Sequence, residues 1–72
     1  MKIPRDVHGH DAVKALRRLG FESKRQRGSH HILQNAAGIT VVVPMHKPIK
    51  LGTLRSILEQ ARVTVEEFIE VL

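Results

Sequence analysis

Cysteine, tryptophan and tyrosine are missing from this 72-residue chain, and phenylalanine occurs only twice. Without cysteine there are no disulfides and no thiolate metal ligands, which fits a reducing compartment. Phe21 and Phe68 both fall where packing claims them, so a sheet that stacks nucleobases on aromatic rings is not expected. Long apolar runs are missing too. The longest, Ile39 to Met45, is interrupted by Thr40 and Pro44, far short of a signal core or a membrane span. The chain is therefore read as soluble and cytoplasmic, and its length as one domain with a small core.

Acidic side chains are scarce: seven against twelve lysines and arginines, for a formal charge of +5. That balance favours polyanionic partners and says nothing about fold. Lys14, Arg17, Arg18, Lys24, Arg25 and Arg27 supply half of the basic side chains within fourteen residues, whereas Glu59, Glu66, Glu67 and Glu70 crowd the last fourteen. One region is suited to phosphates and the other is not; an ordinary solvated charged face is the plainer reading of the same pattern.

What is present has clear periodicity. Between His8 and Leu19, Ala12, Val13, Leu16 and Leu19 fall on one side of a helix and Lys14, Arg17 and Arg18 on the other. Asp6 is the better N-cap by residue type. Gly20 can take the left-handed conformation that stops this helix, folding Phe21 back onto Leu16. A polar, basic strand from Glu22 to Arg27, a tight Gly28-Ser29 turn, a strand from His30 to Gln34, a loop at Asn35 to Gly38 and a β-branched strand from Ile39 to Val43 follow. Pro44, with no N–H to donate, ends that ladder. A second helix from Leu51 to Ala61 buries Leu51, Leu54, Ile57, Leu58 and Ala61. Thr64-Val65-Glu66-Glu67 is a capping box that opens a short third helix, with Val63 and Phe68 in the staple positions. The order is α-β-β-β-α with a terminal helical turn or two. It predicts an α+β sandwich like a double-stranded-RNA-binding domain: a three-stranded antiparallel sheet with helices on one face and the other face open.

The usual catalytic equipment is largely missing. There is no paired-carboxylate motif, no phosphate-cradling glycine loop and no nucleophile elbow, and Asp6, Asp11 and Glu22 are too scattered for a two-metal site. If the chain is an enzyme, histidine does the work. Neighbouring strand residues point to opposite faces, so His30 and His31 cannot share one. His30 is favoured as the outward one, beside the basic turn, and His31 reads as a partly buried, hydrogen-bonded histidine. An exposed imidazole titrates near pH ~6.5 and can take and give protons at working pH. RNA brings its own nucleophile, the 2′-hydroxyl, so His30 could act as base or acid, with Lys24, Arg25 and Arg27 stabilising phosphorane charge and no metal or cofactor required. His46 is a second acid–base partner, a phosphate contact or a loop-fixing residue, the last two preferred. Zinc held by His8 and His10 with His30 or His31 is disfavoured, because an i, i+2 pair points its rings apart on a helix. RNA contact of this kind rests on phosphates and 2′-hydroxyls and is salt-sensitive.

Taken together, Leu16-Arg17-Arg18-Leu19-Gly20-Phe21, Arg25-Gln26-Arg27-Gly28-Ser29-His30-His31-Ile32, Val41-Val42-Val43-Pro44-Met45-His46 and Leu51-Gly52-Thr53-Leu54-Arg55-Ser56-Ile57-Leu58 resemble the HicA toxins of HicAB toxin–antitoxin systems. The likeness covers nearly the whole chain and implies one HicA-like domain over residues 1–72. It implies a double-stranded-RNA-binding-domain-like fold and an endoribonuclease that cuts messenger RNA. The histidine of the Gly-Ser-His element is regarded as catalytic in that family, and the element falls here on Gly28, Ser29 and His30. The resemblance also implies a HicB-type antitoxin that masks this histidine, and contact with DNA only indirectly, through the toxin–antitoxin complex. Two other readings share the basic composition: a non-catalytic RNA-binding module, and an interaction protein whose basic patch meets an acidic partner.

Overall fold

The computed structural model describes residues 2–72. Helix α1 (Gly9–Arg18) leads into strands β1 (Glu22–Arg27), β2 (His30–Gln34) and β3 (Thr40–Pro44), followed by helices α2 (Leu51–Ala61) and α3 (Val65–Val71). The strands form one antiparallel sheet in the order β1-β2-β3. This is the double-stranded-RNA-binding-domain-like layout that the sequence predicts.

Local chemistry explains where the elements stop. α1 ends in two hydrogen bonds, Gly20 N–H to the Arg17 carbonyl (3.1 Å) and Phe21 N–H to the Leu16 carbonyl (3.0 Å), which fold Phe21 back into the core. The same pair closes α2, from Arg62 to Glu59 and from Val63 to Leu58, with Arg62 held at φ 57°. At the start of α1 the expected cap is corrected. His8 occupies the N-cap, its N–H donating to Asp11 (3.3 Å), while Asp6 takes φ 59° in the preceding turn, a left-handed conformation aspartate tolerates.

Leu33, Val41 and Val43 of the sheet are fully buried beneath Leu16 of α1, Leu54, Ile57 and Leu58 of α2, and Phe68 of α3. Full burial of a side chain the size of Phe68 contributes about 1.5–3 kcal/mol. Leu51 departs from the expected stripe. It is 43% exposed and lines a cleft with Ile3, Leu58 and Val65. β1 is open to solvent as well: all six of its residues are exposed.

α1 and the end of β3 approach closely at Gly9. Its N–H donates to the His46 carbonyl (2.9 Å), and a Cβ placed on it would lie 2.5 Å from the Pro44 carbonyl oxygen and 2.7 Å from the Met45 Cα. Both obstacles are backbone. We predict that Gly9→Ala destabilises the chain by about 1–3 kcal/mol in thermal or urea unfolding. Gly52→Ala, in a helix and facing open space, should instead be neutral or stabilising by up to about 1 kcal/mol.

α3 is capped as predicted: Thr64 N–H donates to Glu67 Oε1 (2.9 Å) and Glu67 N–H to Thr64 Oγ1 (3.1 Å). The Thr64 backbone N–H, then its hydroxyl, hold the Glu67 carboxyl below the ordinary glutamate value. A depressed carboxyl stabilises the fold above its unfolded value and loses that contribution as pH falls through the folded one. The stability difference between the native chain and Glu67→Gln should therefore shrink when thermal unfolding is moved from neutral pH to about pH 3.

Candidate functional site

The sheet register fixes which side chains share the open face. Met45 N–H donates to the Ser29 carbonyl (2.6 Å) and Asn35 N–H to the Ile39 carbonyl (3.0 Å), one at each end of the β2–β3 ladder. Because hydrogen-bonded pairs alternate, His31–Val43 and Leu33–Val41 are also of that kind. His30–Pro44, Ile32–Val42 and Gln34–Thr40 are then the non-hydrogen-bonded pairs, in which side chains stand closest. Since Leu33, Val41 and Val43 are buried, these latter pairs face outward, and Val42 is 42% exposed.

This register corrects the expected end of β3. The strand runs from Thr40 to Pro44 rather than from Ile39 to Val43. In a non-hydrogen-bonded pair the Pro44 nitrogen points to the outer edge of the sheet, so its missing N–H costs the ladder nothing. Ile39 instead belongs to the loop, where its N–H donates to Asn35 Oδ1 (2.9 Å).

His30 is exposed on the open face, with Arg27 opposite it on β1 and Pro44 opposite it on β3. The turn between Arg27 and His30 has Gly28 at φ 56° and no positive φ at Ser29, the signature of a type II′ hairpin with glycine in its first central position. The Gln26 side chain donates to the Gly28 carbonyl (3.2 Å) and braces that turn.

A β-bulge between Ser23 and Arg25 controls the cations. Glu22 pairs with Gln34 and Arg25 with Ile32, two partners on the same face although Glu22 and Arg25 are three positions apart on β1. The extra residue, Lys24, resets the alternation so that Arg25 and Arg27 both stand beside the outward residues of β2. Lys24 itself reaches back to Glu22 (3.3 Å). No feature of the polar string Glu22–Arg27 marks the bulge.

His31 occupies the inner face, as its neighbour's exposure requires. It is half-buried, its Nε2 is hydrogen-bonded to Ser23 Oγ, and its Nδ1 is buried without a partner among the described residues.

His46 lies two residues past Pro44, exposed, in a segment tied at three points: Met45 N–H to Ser29, Gly9 N–H to the His46 carbonyl, and Ile49 N–H to the Val7 carbonyl (2.7 Å). It lines two cavities. One is bounded by His8, His10, Asp11, Met45 and Lys47, the other by Pro44, Pro48, Lys50 and Thr53. Sequence reading had no reason to join His8 and His10 to His46; the only sign was the glycine between the two histidines, whose close approach to β3 brings them there. Among the described residues, no three histidine, aspartate or glutamate side chains converge closely enough to hold a metal ion.

The six clustered basic residues do not form one surface. Lys14, Arg17 and Arg18 line a cavity on the outer side of α1, on the helical side of the molecule, away from the open sheet face. Arg18 is also engaged in the fold, donating to the Val71 carbonyl (2.7 Å) at the end of α3. Only Lys24, Arg25 and Arg27 belong to the His30 side.

No helix among the described residues is long and apolar enough to cross a membrane. No curated protein matches the chain. Residues 9–63, from the first residue of α1 to just past the end of α2 and so including the whole sheet, match the family described as HicA toxin of bacterial toxin-antitoxin. By that match over most of its length, the chain belongs to the HicA toxin family.

Proposed function

We propose that this chain is the toxin of a type II toxin–antitoxin pair and acts as a metal-independent endoribonuclease on messenger RNA, with His30 as its catalytic residue. The observation that carries the reading is the position of His30. An exposed imidazole on the open sheet face, opposite Arg27 across one ladder and Pro44 across the other, stands in a chain of the HicA toxin family.

The geometry suits cleavage by RNA's own 2′-hydroxyl. That reaction needs proton transfer at two oxygens and positive charge near the phosphorane, and it needs no protein nucleophile. His30 transfers a proton. Arg25 and Arg27, turned to the same face by the bulge, supply charge, and Lys24 adds to the field from beside Glu22. Gly28 and Ser29 offer close backbone approach at the hairpin tip, and His46 contacts the RNA from the end of β3. A HicB-type antitoxin in the same cytoplasm silences the toxin by covering His30, and the toxin meets DNA only through that complex. A single HicA-like domain accounts for residues 1–72.

The first test is incubation of the native chain and His30→Ala with a long single-stranded RNA in EDTA. The native chain should cleave, and the variant should lose about 10²–10⁴-fold in rate while its unfolding free energy moves by less than about 0.5 kcal/mol. Equal cleavage by both would remove His30 from the chemistry. Intact RNA with both, together with salt-sensitive binding, would favour the non-catalytic RNA-binding module. A second test uses affinity alone. On single-stranded RNA each lost phosphate contact should flatten the log-affinity against log-salt slope by about 0.7, so Arg25→Ala and Arg27→Ala should each do so, and Arg17→Ala should not.

A further inference from the structure

We propose that His46 is the second proton-transfer group of this site, the general acid that protonates the departing 5′-oxygen while His30 takes the proton of the 2′-hydroxyl. The assignment rests on the ribonuclease reading above and completes its chemistry.

Register places the two residues at the same end of the sheet. His30 stands opposite Pro44 in the last, close-packed pair of the β2–β3 ladder. The Met45–Ser29 hydrogen bond keeps the chain in register one residue further. His46 therefore follows two residues after the partner of His30, the position that would be its diagonal neighbour if the strand ran on; in a sheet such residues are about 7–8 Å apart. Residues at that spacing can reach the two sides of one phosphodiester with hydrogen bonds of about 2.8 Å. Pro44, the residue opposite His30, forms a wall of the cavity that His46 lines with Pro48, Lys50 and Thr53. The backbone of His46 is also unusually constrained for a loop residue, since Gly9 holds its carbonyl and the bonds at Met45 and Ile49 hold its flanks. A proton donor in an in-line displacement needs such fixed placement.

The other candidates on this side are poorer. His31 faces inward and is engaged by Ser23. Arg25 and Arg27 offer guanidinium groups, which serve as charge and hydrogen-bond donors rather than as acids. Glu22, opposite Gln34 at the far end of the ladder, is paired with Lys24. The groups around His46 are His8, His10, Asp11 and Lys47 in one cavity and Lys50 in the other.

The step balances without a co-reactant. The 2′-oxygen gives its proton to His30 and bonds to phosphorus. The bond from phosphorus to the 5′-oxygen breaks, and its electron pair leaves on that oxygen, which takes a proton from His46. The products are a 2′,3′-cyclic phosphate and a 5′-hydroxyl, and exchange with water resets both imidazoles.

The test replaces the bridging 5′-oxygen by sulfur at one mapped cleavage position, because a thiolate leaves without protonation. The native chain, His30→Ala, His46→Ala and His46→Gln are compared on the ordinary and the 5′-thio RNA. Both His46 variants should lose about 10²–10⁴-fold on ordinary RNA yet cut the 5′-thio RNA within a few-fold of the native rate, whereas His30→Ala should fail on both. The native rate on ordinary RNA should be bell-shaped in pH, and His46→Gln should lose the alkaline fall that reports a required acid. Equal losses on both RNAs, or no loss on either, would overturn the assignment and leave the ribonuclease reading standing. Failure of the native chain on both RNAs would instead overturn the ribonuclease reading and the assignment with it.

Discussion

The hydrogen bond from Met45 to Ser29 is the constraint on which the open face depends. It closes the β2–β3 ladder one step beyond the strands, at the mouth of the β1–β2 hairpin. Its parity makes His30–Pro44 a close pair, sends the Pro44 nitrogen outward and carries His46 to the same end of the sheet. From the other side Gly9 presses against the same stretch of chain, with no room for a methyl group. The N-terminus of α1, the end of β3 and the hairpin turn thus form one mechanical unit, and the histidines His8, His10, His30 and His46 are all attached to it.

Much of this was legible in the sequence, and for physical reasons. The bounds of β1 and β2 follow from Gly28-Ser29, whose chemistry specifies a two-residue turn. The stop of α1 follows from Gly20 and the start of α3 from Thr64 and Glu67, because caps are set by a few adjacent residues. The choice of His30 over His31 as the outward residue also holds, since a strand has only two sides and Leu33 claims the inner one for His31.

What was not legible depends on partners distant in the chain. The β1 bulge arises from how β1 meets β2, and a string of polar residues carries no apolar stripe to reveal a skipped beat. Pro44 looked like a terminator because its tolerance depends on which way its nitrogen faces across the sheet. Asp6 is the better cap in isolation, yet the anchoring of Val7 and Gly9 to the loop from His46 to Ile49 brings His8 to that position. The cluster from Lys14 to Arg27 is continuous in sequence but divided in space, because the sheet lies between its halves.

Pro44 also bears on how the molecule avoids its own kind. β1 and β3 are both free edges, and free edges invite further strands. Along β1 the bulge and a row of like charges discourage such pairing. Along β3 the proline removes a donor on the outer side, so a strand from a second copy would run out of partners just short of His46. The sheet is thus protected from growing into fibres at the end that carries His30 and His46.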